Sequence, residues 1–346
     1  MSTTEESGAI NYAAAGVDIA RGDEAVRRLK KHVESTFTKK VLRGVGAFAG
    51  ALDAEELKTM DEPVLLASTD GVGTKTMIAE KTGLWEGIGK DIVHHGANDL
   101  VCQGGRAIFF LDYIAANRLD PEVVETIVKG MSESCRELGC VLIGGETAEM
   151  PKVYTEGSYD VAGTIIGIAE RGAMITGGMI EEGDVLIALP SNGLHTNGYS
   201  LARKVLLDDA KLDLHAMHPD LGETLAEALL KPHALYANTV LKIHAEIGLK
   251  GVAHITGGGI AGNLARIIPE GLGAIIEKKL IRRPPIFHLI QTAGNVSEDA
   301  MFEAMNMGVG MILVCRKEQQ EHVISSASGS YVIGNIVEES GVSFLN

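Results

Sequence analysis

Three carboxylates draw attention, because each stands beside glycine or interrupts an apolar stretch. Asp70 opens Asp70-Gly-Val-Gly-Thr-Lys75, Asp99 follows Asn98 on an otherwise apolar segment, and Glu146 lies in Gly144-Gly-Glu-Thr-Ala148. A carboxylate, open glycine amides and a lysine can surround a phosphate chain, and carboxylates delivered from several elements suit Mg2+ held with a polyphosphate. Taken singly, each could equally be a capping or surface group; together they point to a metal-nucleotide site. The first motif is not a Walker A loop, which needs glycine directly before its lysine, where Thr74 stands here.

Two further stretches carry possible chemistry. Pro190-Ser-Asn-Gly-Leu-His-Thr-Asn-Gly-Tyr-Ser200 is a polar, glycine-punctuated loop opening a helix, able to hold a substrate phosphate or to place His195 as a proton-transfer or orienting group. Gly257-Gly-Gly-Ile-Ala-Gly262 satisfies GxGxxG, with Glu277 about 20 residues on, so a dinucleotide fingerprint is a rival reading, weakened by the short apolar run before it. His94 and His95 are neighbours that point different ways on a helix, and no HExxH occurs, so the histidines offer little for zinc.

The elements that must position these groups alternate. Apolar spacing predicts helices over 23–36, 86–103 and 121–138, and strands over 64–69, 107–115, 140–143 and 161–169, with the polar motifs at strand ends. Glycines at 44–50 suit a mobile lid. Composition shifts to Gly, Met and Glu between 171 and 184, after which strands over 185–189, 274–277, 311–316 and 331–337 alternate with helices over 198–207 and within 222–247. The expected fold is two α/β domains (α/β to α+β), spanning 1–170 and 171–346.

Composition narrows the function. With 346 residues, 45% of them hydrophobic, the chain can bury a sizeable core, and its net charge of −15 argues against duplex nucleic acid as a partner. The four cysteines form no CxxC pair and read as reduced thiols. No apolar run is long enough to span a bilayer, and the acidic start is unlike a signal peptide, so a cytoplasmic location is expected.

Taken in order, Thr69-Asp-Gly-Val-Gly-Thr-Lys75, Asn98-Asp99-Leu, Phe109-Phe-Leu-Asp-Tyr113, Gly144-Gly-Glu-Thr-Ala-Glu-Met-Pro151, Tyr159-Asp-Val-Ala-Gly163, His195-Thr-Asn-Gly-Tyr-Ser200, His254-Ile-Thr-Gly-Gly-Gly259 and Gln291-Thr-Ala-Gly-Asn-Val296 resemble the phosphoribosylformylglycinamidine cyclo-ligase family, the aminoimidazole ribonucleotide synthetases of purine biosynthesis. Tyr12 to Asp18 is similar to that family's opening. The resemblance implies ATP-dependent closure of the imidazole ring of formylglycinamidine ribonucleotide by a homodimer whose N-terminal strands join a shared barrel-like sheet. It implies Asp70, Asp99 and Glu146 as Mg2+ ligands, Gly71, Gly73, Thr74, Lys75, Gly145 and Thr147 around the ATP phosphates, and Lys75, His195 and Asn197 as the catalytic set. Gly104-Gly-Arg-Ala107, Gly262-Asn263 and Ala304-Met-Asn306 depart from the family pattern, the last two among second-domain contacts. A related ATP-using kinase or selenophosphate-forming enzyme, and a non-catalytic nucleotide-binding protein, stay open as alternatives.

Overall fold

A computed structural model describes residues 19–346; the motif at Tyr12 to Asp18 lies outside them. The first half runs α1 (Ile19–Glu34), β1 (Val41–Arg43), β2 (Ala51–Leu52), β3 (Pro63–Gly71), α2 (Thr76–Thr82), α3 (Glu86–Val101), β4 (Arg106–Ala116), α4 (Pro121–Leu138), β5 (Val141–Glu149) and β6 (Tyr159–Glu170). Local chemistry explains the ends of α4. The Asp120 side chain accepts from the Glu122 amide at 2.9 Å, Pro121 takes the first helical position, and Gly139 closes the helix at φ +70°. β1 and β2 make a short hairpin whose tip is the glycine-rich 44–50 segment, with Phe48 fully exposed.

β3, β6, β4 and β5 form one sheet in that order, antiparallel except for the β4–β5 pair that α4 connects. α3 and α4 pack on one face, where Phe110, Ile114 and Ile165 are buried. These two helices approach through facing glycines. A Cβ on Gly89 would overlap the Ile127 carbonyl, and one on Gly130 would sit 2.8 Å from the Glu86 carbonyl oxygen. On the sheet's opposite face Leu65 is 65% exposed and Phe109, Leu111 and Ile166 are only half-buried.

The second half builds a six-stranded sheet from β7 (Val185–Pro190), β10 (Gly251–His254), β11 (Gly273–Glu277), β12 (Val309–Cys315), β13 (Tyr331–Val337) and β14 (Gly341–Leu345), in the order β10-β12-β7-β13-β11-β14. A two-residue pair, β8 (Met217–His218) and β9 (Glu223–Thr224), stands apart. Every residue of β12 is buried, as its uninterrupted apolar run requires of a central strand covered on both faces. The chain is thus a two-domain α/β protein, each domain with its own sheet.

Three expectations change. The strand expected over 140–143 runs on to Glu149, so Gly144 to Thr147 pair with β4 instead of forming a loop. The helix expected over 198–207 is the short Tyr199–Arg203 followed by a wider π-helical turn, Lys204–Asp209. The dinucleotide fingerprint fails on topology. β10 is an edge strand antiparallel to β12, and β11 lies four places away, so Gly257 to Gly262 do not join two neighbouring parallel strands.

Candidate active site at the domain seam

α3 carries the site. Asp91, His94, His95, Asn98 and Asp99 fall at i, i+3, i+4, i+7 and i+8, a polar stripe on an otherwise apolar helix, and the second domain covers it. Asn98 donates to the Ala234 carbonyl at 2.8 Å and accepts from the Tyr236 amide at 2.9 Å. His94 Nδ1 lies 2.6 Å from the His233 carbonyl, and Asp91 accepts from the His233 amide at 2.7 Å. These three buried groups, Asp91, His94 and Asn98, therefore each find a partner across the seam, which offsets the cost of their burial.

Lys75 belongs to this seam. Expected as a mobile cation for phosphate, it is instead fully buried, its ammonium donating to Asp91 at 2.8 Å and to the Lys231 carbonyl at 2.7 Å. Burial pulls the Lys75 ammonium down and pushes the Asp91 carboxyl up to about 6, each opposed by the other's charge. His195 is also displaced from expectation. It is 1% exposed, held at φ +61°, stacked on His233 with centroids 4.0 Å apart, and neither ring nitrogen finds a hydrogen-bond partner among the described residues. Burial holds it neutral, well below the usual histidine range. Asn197 is half-buried, its amide oxygen beside Gly257 and its amide nitrogen 3.4 Å from Thr196.

Asp70 and Asp99 do come together, through His95. Its Nε2 is 3.0 Å from Asp70 and 3.8 Å from Asp99, while Asp99 also meets Ser68 Oγ at 2.9 Å and His254 Nδ1 at 2.8 Å. From there His254 Nε2 touches His233 Nε2 at 2.9 Å, and Thr196 Oγ1 lies 3.0 Å from His95 Nδ1 and 3.5 Å from His233 Nδ1. The ring of contacts draws on both domains. The hydrogen bond from His95 holds the Asp70 carboxyl below its usual range. Burial pulls His95 down, but Asp70 and Asp99 together outweigh it and leave its pKa raised. Burial lowers His254 in spite of Asp99.

Glu146 does not join them. Its row across the sheet is Gly71, Ala162, Tyr113, Glu146, whereas Asp70 belongs to the adjacent row with Gly163, Asp112 and Gly145. Adjacent rows face opposite sides, so Glu146 leaves the sheet on the face away from α3, two strands and roughly 14 Å across from β3. Within this chain the three expected Mg2+ ligands share no common centre. Thr147 lies on β5 with Glu146, while Thr74 is exposed and Gly73 takes φ +68° where the chain leaves β3. Gly145 has a local reason to be glycine, since a Cβ there would strike the Asp112 carboxylate. A cleft of about 640 Å³ opens over Ser68, Asp70, His95, Asp99, His254 and Arg266.

Residues 49–169 match the family described as AIR synthase related protein, N-terminal domain, and residues 181–345 match its C-terminal domain. The chain belongs to the AIR synthase related family. Within it, the phosphoribosylformylglycinamidine cyclo-ligase of Bacillus mycoides is 46% identical over 338 residues, 96% of this chain and 97% of the relative. The enzyme of that name from Oceanobacillus iheyensis is 45% identical, covering 96% and 98%. Among solved structures, thiamine-monophosphate kinase from Stenotrophomonas maltophilia aligns with TM-score 0.66 at 17% identity, over 93% of this chain and 95% of that one. Hydrogenase maturation protein HypE in complex with ATP aligns with TM-score 0.63 at 17% identity, over 95% and 87%. These two share the AIR synthase related fold.

Several residues of this AIR synthase related site carried no role in the sequence. His95 and Asp99 are four apart on one helix and so face one way, a legible signal. His233, His254 and Thr196 reach them only through domain packing, which no local spacing reveals.

Proposed function

We propose that the chain is an ATP-dependent phosphoribosylformylglycinamidine cyclo-ligase that converts formylglycinamidine ribonucleotide to 5-aminoimidazole ribonucleotide with release of ADP and phosphate. The observation that carries this is likeness along nearly the whole chain to enzymes of that name, 46% identical over 96% of its length. In this reaction the formyl amide oxygen takes the γ-phosphoryl group and ADP departs. A substrate nitrogen then bonds to the activated carbon, the carbon–oxygen bond breaks, phosphate leaves, and the nitrogen loses a proton. An amide oxygen is a poor leaving group, and phosphorylation supplies the activation.

The residues divide by location. Asp70, Gly71, Gly73 and Thr74 are assigned to the nucleotide, at the end of β3. The cleft beside them is large enough for a ribonucleotide, and Arg266 on its wall supplies positive charge for a ribose phosphate. Lys75 and His195, both buried, are assigned positioning roles, Lys75 through Asp91 on the His233 segment and His195 through the His233 ring. Asn197 is the loop residue left to meet substrate. Magnesium, when bound with ATP, supplies charge to the phosphate oxygens. The protein offers it no three-carboxylate cage, because Glu146 stands on the other face and imidazoles crowd Asp70 and Asp99. We assign Glu146, with the open sheet face, to the contact between two copies of a homodimer. No helix among the described residues is long and apolar enough to cross a membrane, consistent with work in the cytoplasm.

The test is phosphate release from ATP by the purified protein, with and without formylglycinamidine ribonucleotide, alongside colorimetric detection of the aminoimidazole. Release coupled to aminoimidazole and dependent on both substrates is expected. Phosphate release without any aminoimidazole would reject the ring closure.

A further inference from the structure

The structure assigns a second cation site at the domain seam, formed by His95, Asp99 and His254 with Asp70 beside them, for a divalent transition ion of the zinc class instead of magnesium. One donor atom from each of His95, Asp99 and His254 lies within 4.8 Å of the others. A tetrahedral ion with bonds near 2.0–2.2 Å places neighbouring donors about 3.4 Å apart. Here His254 Nδ1 to Asp99 is 2.8 Å and His95 Nε2 to Asp99 is 3.8 Å, so small side-chain movements bring these three onto one ion, with Asp70 hydrogen-bonded to His95 at 3.0 Å on the cleft side.

Orientation carries the inference further than distance. Metal-binding histidines need the ring nitrogen away from the ion held by a partner, and metal-binding carboxylates are themselves hydrogen-bonded. Each ligand here has that support. His95 turns Nδ1 to Thr196 at 3.0 Å, His254 turns Nε2 to His233 at 2.9 Å, and Asp99 accepts from Ser68 at 2.9 Å. Thr196 and His233 come from the second domain to support a set centred on the first. Both imidazoles are nearly buried, with side chains 6% and 3% exposed, while Asp70 at 48% opens to the cleft and gives an entry path. Two imidazoles with one carboxylate suit zinc or cobalt better than Mg2+, which prefers oxygen donors and retains its waters. Occupancy would tie β10 of the second domain to α3 of the first.

Full-length protein stripped with a chelator and titrated with Co2+ tests this directly. Expected are visible ligand-field bands stronger than those of the aquo ion, saturating at one equivalent, displaced by stoichiometric Zn2+ and unmoved by excess Mg2+. His95→Gln and His254→Gln should each weaken Co2+ binding at least about 100-fold, and Ser68→Ala about 10-fold. His322→Gln, on a surface histidine paired with Glu246, should change nothing. Ser68→Ala keeps both imidazoles in place and so separates ligand loss from misfolding of the seam. An aquo-like spectrum, unchanged binding in both histidine variants, or displacement by Mg2+ at parity would overturn the site. Binding is read without turnover, so its failure leaves the ring-closure proposal standing, and failure of that proposal leaves this one standing.

Discussion

The first domain presents two faces with opposite habits. Along α3 it buries Asp91, His94, His95 and Asn98 against the second domain, and across the sheet it leaves Leu65 exposed and Phe109, Leu111 and Ile166 half-covered. Polar groups are hidden on one side and apolar groups shown on the other. The buried polar side is complete, because each of these four groups meets a partner, so its specificity is spent within one chain. The apolar side is unfinished, and the proposed contact between two copies would complete it. Chemistry gathers at the complete side, where geometry is held most tightly.

The contrast can be broken most severely at Lys75. Lys75→Met leaves Asp91 buried without its cation and should cost about 3–5 kcal/mol in denaturant unfolding, most of it regained in the Lys75→Met/Asp91→Leu double variant. A loss below about 1 kcal/mol would mean the seam does not depend on this pair. On the open face, Leu65→Asp should raise the dimer dissociation constant about 30-fold, roughly 2 kcal/mol, in sedimentation equilibrium without lowering monomer stability. An unaltered association would clear Leu65 of any interface. Asp70→Asn should reduce turnover about 10-fold through weaker nucleotide binding while the protein stays folded; wild-type turnover would take Asp70 out of the nucleotide site.

The smallest effect expected is one of pH. Burial, with Glu146 nearby, pushes the Asp112 carboxyl up to about 7. Its folded-state pKa exceeds the unfolded value, so the folded protein holds this proton longer, and stability falls as pH rises from the ordinary carboxylate range to about 7. Asp112→Asn should remove that slope, a difference on the order of 1 kcal/mol once solvent screening is allowed for. Parallel stability-against-pH curves for the two proteins would show that Asp112 titrates normally.

Sequence made elements of both domains legible where spacing is long and regular. The helix at 121–138 appears with the bounds expected, as does the strand at 331–337, because proline, glycine and apolar period agree there. Short elements such as β14 and the helix Pro285–Gly294 carried too few residues to show a period. Asp70 and Asp99 were legible as members of one site, since motif chemistry is local. Glu146 was not, because a strand's two faces are assigned only once its partners and register are known. Lys75 reads as a cation for phosphate, because nothing nearby in sequence announces Asp91 across a turn and a helix or the Lys231 carbonyl in the other domain.

The facing glycines of α3 and α4 give this arrangement its mechanical reference. With no side chain between them at Gly89 and Gly130, the helices rest backbone on backbone, and α3 has no compressible layer beneath it. A single added methyl at Gly89 cannot be absorbed by a rotamer change, so it must lift the helix as a rigid rod. Asp91, His95, Asn98 and Asp99 would all shift together, which makes a residue with no chemistry of its own the common alignment stop for every donor and acceptor along the seam.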